Sequence, residues 1–93
     1  MTTAPGHAFA DQVLRHVGGA VNVVRLTHCL ARLRFVLTDD TIADDDALQQ
    51  MPEVAIVVRQ GGQLQLALKV SVPLAYAAVR HRLEEGTAPG SSR

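Results

Sequence analysis

The chain contains a single cysteine, Cys29, and two arginines follow it after three and five residues in the stretch RLTHCLARLRF. Guanidinium groups near a thiol lower its pKa and so increase the fraction of nucleophilic thiolate. They also offer forked donors that match the oxygens of a phosphate group. A tight bend at Leu30 and Ala31 can add backbone N–H groups that bind an anion. Cys29, Arg32 and Arg34 therefore predict a thiolate in an anion cradle, suited to accepting a phosphoryl group and passing it on.

Spacing alone leaves a structural interpretation of these residues open. Free cysteines are among the most buried residue types, so Cys29 could equally be a small core residue. Arginines on an exposed strand are common as solvated or edge-protecting side chains. A thiol redox sensor is disfavoured, because the chain has no second cysteine to resolve an oxidised Cys29.

The first half of the sequence predicts a helix followed by two strands. Apolar residues recur at helical spacing from His7 to Val17, and Gly18-Gly19 follows as a stop signal. Residues 21–29 are rich in β-branched side chains, and residues 32–38 alternate with Leu33, Phe35 and Leu37 on one face. These two segments are expected to form strands joined by the tight bend that carries Cys29.

The second half predicts a short helix, a hairpin and a final helix. The stretch TIADDDALQQM begins with residues that favour a helix start and ends at Pro52. Gly61-Gly62 lies between two apolar-alternating runs and predicts a hairpin turn. Ser71 can cap the last helix, and Gly86 is expected to end it.

The resulting order, α-β-β-α-β-β-α, indicates an α+β fold. Two hairpins with one apolar face each and three amphipathic helices fit a four-stranded antiparallel sheet with three helices on one face, an open-faced sandwich. Strand parity places four polar side chains on the uncovered face: Arg32, Arg34, Gln65 and Lys69. Residues 7–86 are expected to form this one domain. The Gly/Pro/Ser-rich ends, 1–6 and 87–93, are expected to be flexible tails.

Composition excludes several functions for this 93-residue chain. Its formal net charge is zero and its aromatic content is 3%, which argues against a nucleic-acid partner. No apolar run approaches the roughly 20 residues that cross a bilayer, so direct membrane insertion is not expected. The N-terminus lacks a secretory signal pattern, and a lone cysteine fits a reducing compartment. We therefore expect a cytoplasmic protein.

Histidines and acidic residues predict no metal or cofactor site. His7, His16 and His81 are scattered over predicted helices without metal-ligand spacing. The run Asp44 to Asp46 lacks the spaced oxygens of a calcium loop and is expected to be a solvated helix start. His28 adjoins the cysteine and could be a proton donor or a docking contact, but strand parity favours a structural or flanking role.

The stretch THCLARLRF resembles the phosphorylation-site motif of the EIIB domain of glucose/sucrose-type phosphoenolpyruvate-dependent sugar phosphotransferase systems (PTS), where His/Ala-Cys-x-Thr-Arg-Leu-Arg-Phe is usual. The similarity extends from about Phe9 to Leu83. VGGAVNVVRLTHC resembles the family's Gly-Gly-x-x-Asn-Ile approach to the cysteine, and VAIVVRQGGQLQLAL resembles its Gly-Gly-x-x-Gln hairpin. The element order is also that of the family.

The resemblance implies a phosphotransferase that works as a relay. A phosphohistidine on an EIIA partner would donate its phosphoryl group to Cys29, and the phosphocysteine would pass it to a sugar held by a membrane EIIC partner. Arg32 and Arg34 correspond to the family's paired arginines, and no cofactor is implied. The expected phosphate- or partner-binding residues are Leu30, Ala31, Gln65 and Lys69. Association with the inner face of the membrane through EIIC would follow.

Two positions depart from the family pattern. Ala31 stands where threonine is usual, so a hydroxyl that could contact phosphate is missing. Lys69 stands where glycine is usual, and it either supplies a replacement cation or crowds the partner surface. These departures keep an alternative open, a non-transporting regulatory module that is controlled by phosphorylation or partner binding.

Overall fold

The computed structural model describes residues 5–87, so most of both predicted tails, 1–4 and 88–93, lies outside the described residues. The helices and strands follow the predicted order: α1 His7–His16, β1 Val23–His28, β2 Arg32–Leu37, α2 Asp45–Gln49, β3 Val54–Gln60, β4 Gln63–Leu68 and α3 Val72–Thr87. Two short 3-10 turns, Ala20–Asn22 and Asp40–Ile42, flank the first hairpin.

The four strands form one antiparallel sheet in the order β1-β2-β4-β3. The β3–β4 turn uses Gly61 and Gly62 with φ values of 61° and 77°, a left-handed backbone region that glycine enters without a Cβ clash. The first hairpin joins the second through β2 and β4, which pair Arg32 with Ala67 and Phe35 with Leu64. This pairing brings the Cys29 bend and the end of β4 to the same end of the sheet.

One face of the sheet carries the hydrophobic core. Leu33, Phe35 and Leu66 are fully buried, and the three helices cover them with apolar side chains such as Val13, Leu48 and Val79. Burial of a large apolar side chain stabilises a fold by about 1.5–3 kcal/mol. The alternation in β2 and β4 therefore fixes which face meets the helices, and the predicted open-faced sandwich is confirmed.

Asn22 sets where the first strand begins. Its Nδ2 donates to the backbone oxygens of Val17, at 2.8 Å, and Asp39, at 3.0 Å, while its Oδ1 accepts from Asp39 N at 2.9 Å. These side-chain bonds hold residues 20–22 in a 3-10 turn and compete with strand pairing. The predicted strand start at residue 21 was therefore wrong by two residues, and β1 begins at Val23.

The ends of two helices also differ from the prediction. α2 is only Asp45–Gln49, because the side chain of Asp44 accepts a hydrogen bond from Ala47 N at 3.0 Å and caps it there. The predicted stop at Gly86 was wrong, since α3 continues to Thr87. One glycine weakens a helix by only about 1 kcal/mol relative to alanine, which does not by itself end a helix.

Candidate active site

The Cys29 loop is the three-residue connection between β1 and β2, and it consists of Cys29, Leu30 and Ala31. Cys29 N donates to Arg32 O at 3.0 Å, which closes the loop, and Leu68 N donates to Ala31 O at 3.4 Å, which ties it to β4. Leu30 at the tip is 95% exposed, as predicted for a residue that can meet a partner. Cys29 itself is half-buried rather than a core residue. The loop thus holds the sulfur at the end of the sheet, within reach of solvent.

The loop lowers the pKa of the Cys29 thiol. The backbone N–H of Ala31 contributes most, and the backbone N–H of Arg32 and the guanidinium of Arg34 act in the same direction. Partial burial opposes them but does not reverse the shift. Each favourable contribution is a donor or a positive charge, which stabilises the thiolate over the thiol. The site can therefore hold a sulfur anion, the form that attacks phosphorus.

Arg34 is the arginine whose guanidinium acts on the sulfur. It is half-buried on the uncovered face of β2, where it pairs with Thr27 of β1 and Gln65 of β4. Its Nε is enclosed and has no hydrogen-bond acceptor within residues 5–87. Enclosed donors without partners are uncommon in folded proteins. The Arg34 guanidinium nevertheless acts on the Cys29 sulfur, through a hydrogen bond and its positive charge.

Arg32 is held by Gln65 and not by the thiol. Its Nη1 donates to Gln65 Oε1 at 2.9 Å, and Gln65 Nε2 donates to Gln63 Oε1 at 2.9 Å. Gln65 lies on the predicted face of the sheet, yet it is only 5% exposed, because the Arg32 side chain lies against it. Gln65 therefore lies on the predicted face but is covered there. The two arginines share a face, but Arg32 acts on the sulfur through its backbone N–H and Arg34 through its guanidinium.

The two departures from the family pattern lie near the loop in different ways. Ala31 is exposed and acts on the sulfur through its backbone N–H, so its methyl group takes no part in lowering the thiol pKa. Lys69 follows β4 directly, and its backbone N–H donates to Glu53 O at 2.8 Å. Its side chain is exposed, and no hydrogen bond or ion pair joins it to the other described residues. Lys69 therefore adds a solvated cation at the loop end of the sheet.

Acidic residues concentrate at the opposite end of the sheet. Arg59, which pairs with Leu64 close to the β3–β4 turn, forms an ion pair with Asp45 at 2.9 Å and donates to Asp40 O at 3.0 Å. Thr41 donates twice to Asp39 and lowers the pKa of that carboxyl group. These aspartates therefore lie at the turn end of the sheet, away from Cys29.

His28, the last residue of β1, pairs with Leu33 and so belongs to the helix-covered face, away from Arg34. Its ring lies against that of Tyr76 in α3, with 4.6 Å between ring centroids. Within residues 5–87, no group of three or more histidine, cysteine, aspartate or glutamate side chains is placed to hold a metal ion. No helix in that range has the length and apolar character that a bilayer crossing requires.

Sequence reasoning anticipated that backbone N–H groups of the bend would act on an anion, and that of Ala31 has the largest influence on the thiol. It missed two other contributors to the site. Gln63 accepts a hydrogen bond from Gln65. The only sequence feature that indicates this contact is that both residues lie on one face of β4. Tyr76 touches His28 across the end of the sheet, a contact between residues far apart in sequence.

Comparisons with known proteins match this chain to components of the phosphotransferase system. The family model for the phosphotransferase system EIIB matches residues 11–44, which include Cys29, Arg32 and Arg34. A PTS system beta-glucoside-specific EIIBCA component of Bacillus subtilis is 43% identical over 85 residues, which are 89% of this chain and 14% of that protein. A component of the same description from Halalkalibacterium halodurans is 40% identical over 70 residues, 75% of this chain and 11% of that protein.

A solved structure described as one domain of the PTS system IIabc component from Clostridium difficile shares the fold. It superposes with a TM-score of 0.65 and 28% sequence identity, over 82% of this chain and 76% of that one. The chain belongs to the EIIB family of the phosphotransferase system. It spans only about a tenth to a seventh of the length of the two curated relatives described above.

Proposed function

We propose that this domain carries a phosphoryl group on Cys29 during sugar uptake, accepting it from an EIIA phosphohistidine and transferring it to a sugar bound by a membrane EIIC component. The observation that carries the proposal is the combination of a half-buried thiol of lowered pKa and the enclosed, unpartnered Nε of Arg34 beside it. A thiolate and a positively charged guanidinium beside it are what transfer to and from sulfur requires.

In the acceptance step, the Cys29 thiolate attacks phosphorus while the bond between phosphorus and the imidazole nitrogen of EIIA breaks. The S–P bond forms, and the imidazole leaves with the electron pair and takes up a proton. In the discharge step, a sugar hydroxyl attacks phosphorus, the O–P bond forms, the S–P bond breaks and the thiolate returns. The hydroxyl proton passes to a base outside this domain or to water. Arg34, Arg32 and the loop N–H groups stabilise the charge on the phosphoryl oxygens in both steps.

The partners in this proposal are EIIA and EIIC, and no cofactor takes part. The relatives at 40–43% identity are named as beta-glucoside-specific EIIBCA components, so the B domain stands beside C and A domains in their names. An EIIC partner would bring the domain to the inner face of the membrane, in the cytoplasm. Leu30, exposed at the tip of the bend, and the cation of Lys69 would lie against these partners.

The test is phosphorylation from phosphoenolpyruvate, the general phosphocarrier proteins and candidate EIIA proteins, followed by intact mass measurement. One phosphoryl adduct is expected on the wild type and none on Cys29→Ser. Addition of membranes that contain a matching EIIC and its sugar should remove the adduct. An adduct that persists in Cys29→Ser, or no adduct with any EIIA that phosphorylates a reference EIIB domain, would contradict the proposal.

A regulatory module that does not serve transport is the second candidate function. The observation that favours it is Ala31, whose exposed methyl group offers no hydroxyl to the phosphoryl group at the position next to the loop tip. In the same experiment this function predicts an adduct that forms on Cys29 but is stable to every combination of EIIC membranes and sugar. Discharge to any sugar would exclude it.

A further inference from the structure

His28 makes two contacts that link the Cys29 loop to helix α3. Its Nδ1 lies 3.1 Å from the carbonyl oxygen of Cys29. A carbonyl oxygen can only accept, so Nδ1 carries the proton and donates. The ring also packs against Tyr76, with 4.6 Å between centroids and 52° between planes. His28 is therefore fixed on one side by an aromatic ring and bonds to the nucleophile's own peptide group on the other.

Tyr76 is itself held within α3. Arg80 Nη1 donates to the Tyr76 hydroxyl oxygen at 3.2 Å, and Arg80 Nε donates to Glu84 at 3.0 Å. These i,i+4 contacts run along the exposed side of the helix. Helix α3 thus holds the Tyr76 ring in place, and the contact with this ring helps to orient the His28 ring.

The hydrogen bond to Cys29 O affects the orientation of the whole loop, because a peptide group is planar. The carbonyl of Cys29 and the N–H of Leu30 belong to one rigid unit and point to opposite sides. When His28 fixes the carbonyl, it fixes the direction in which the chain leaves Cys29. The next two N–H groups, those of Ala31 and Arg32, are the backbone donors that stabilise the thiolate.

We propose that His28 is a positioning residue, which orients the Cys29 loop through the Nδ1–H bond to the Cys29 carbonyl and so holds the loop N–H groups on the sulfur. It does not touch the reacting phosphorus, since it lies on the helix-covered side of the strand. The inferred role of His28 in phosphoryl transfer rests on the proposed function. The inferred effect of His28 on the Cys29 thiol is independent of that function.

Two variants separate the hydrogen bond from the ring contact. His28→Phe keeps an aromatic ring against Tyr76 but has no donor, whereas His28→Asn places an amide N–H close to where Nδ1 lies but loses the ring. His28 is exposed, so both variants are expected to fold with thermal midpoints within about 2 °C of the wild type. The first readout is the rate of alkylation of Cys29 by iodoacetamide across a pH series, which needs no phosphodonor. The second is the rate of phosphoryl transfer from phosphorylated EIIA.

His28→Phe should raise the apparent pKa of the thiol and slow phosphoryl transfer by about fivefold, the size of one net hydrogen bond. His28→Asn should keep both values near the wild type. Wild-type behaviour of His28→Phe, or equal loss in the two variants, would overturn the proposal. If the wild type accepts no phosphoryl group but the alkylation series follows this pattern, the proposed function fails while the positioning of the loop stands.

Discussion

Arg32 and Gln65 form a direct side-chain hydrogen bond, in which Nη1 of the arginine donates to Oε1 of the glutamine at 2.9 Å. This bond engages the guanidinium of Arg32, whereas the guanidinium of Arg34 is among the groups that lower the thiol pKa. We infer that the two arginines divide the work. Arg34 favours the thiolate before transfer, and Arg32, preset by Gln65, joins it in binding the phosphoryl oxygens.

Gln65→Leu should therefore slow phosphoryl transfer without changing the thiol. The leucine has nearly the volume of glutamine but leaves Arg32 without its acceptor, so the guanidinium loses its fixed position. We expect transfer from phosphorylated EIIA to fall about tenfold and the alkylation rate of Cys29 to stay unchanged. Replacing a buried partner of a charged donor also lowers the free energy of unfolding by about 1–3 kcal/mol, measurable by urea titration.

The matched control is Gln63→Leu, which removes only the bond between the two glutamines. Because Arg32 keeps its direct acceptor in this variant, transfer should stay within about twofold of the wild type. Equal losses in Gln63→Leu and Gln65→Leu would show that general disturbance of β4 matters and not the position of Arg32.

Arg34→Ala should have the complementary effect and raise the pKa of the Cys29 thiol. The variant removes a hydrogen bond and a positive charge, both of which lower that pKa in the native protein. A slower reaction of Cys29 with iodoacetamide near pH 7 is expected, with the pH profile displaced upward. Arg34→Lys should recover part of the effect, since it keeps the charge but loses the forked donors.

Arg25→Ala is the control for a nonspecific loss of charge. Arg25 is exposed on the same sheet face, where it pairs with Val36, but it does not contribute to the shift at Cys29. Its removal should leave the alkylation profile unchanged. If Arg25→Ala displaces the profile as far as Arg34→Ala does, the overall positive field and not the contact with Arg34 controls the thiol.

Ala31→Thr tests whether the missing hydroxyl limits the domain. Threonine would add a donor at the exposed position beside the loop tip, so transfer to or from Cys29 should become about threefold to tenfold faster, as one added hydrogen bond allows. Ala31→Val has the same shape without the hydroxyl and should not be faster than the wild type. Equal rates in the two variants would show that side-chain shape, not the hydroxyl, governs this position.

The lowered thiol pKa predicts a specific dependence of stability on pH. A group whose pKa is lower in the folded state binds fewer protons there, so it stabilises the fold fully above its unfolded pKa, about 8.5 for cysteine. The contribution is lost as the pH falls through the folded pKa. The thermal midpoint of the wild type, measured against Cys29→Ser, should therefore rise from acidic pH toward pH 9. A difference that is flat or falls over this range would contradict the shift, and added salt should weaken the part that comes from Arg34.

The fold was largely predictable, because the apolar alternation in β2 and β4 has only one face that can be buried. Leu33, Phe35 and Leu66 all have the predicted position, and the antiparallel order followed from the two short turns. The strand start was not predictable by the same means. Asn22 overrides β propensity with hydrogen bonds to Val17 and Asp39, and those partners lie together only after folding.

The sequence predicted the placement of the two arginines on the sheet but not the network of contacts around Cys29. Spacing placed Arg32 and Arg34 on one face, and it could not say which guanidinium reaches the sulfur. The difference depends on Gln65 in the neighbouring strand β4, which accepts a hydrogen bond from the Arg32 guanidinium. The bend predicted backbone N–H donors as a group, but it did not indicate that the N–H of Ala31 would have the strongest influence on the thiol.

The most direct test of the central claim is phosphorus NMR of the domain after phosphorylation by phosphoenolpyruvate, the phosphocarrier proteins and EIIA. Phosphocysteine places phosphorus on sulfur, so we predict one resonance in the region of S-phosphorylated thiols. It should be absent in Cys29→Ser and should disappear when EIIC membranes and sugar are supplied. A resonance of a phosphoramidate or an ordinary phosphate ester on the washed protein, retained in Cys29→Ser, would contradict a carrier that works through the thiolate of Cys29.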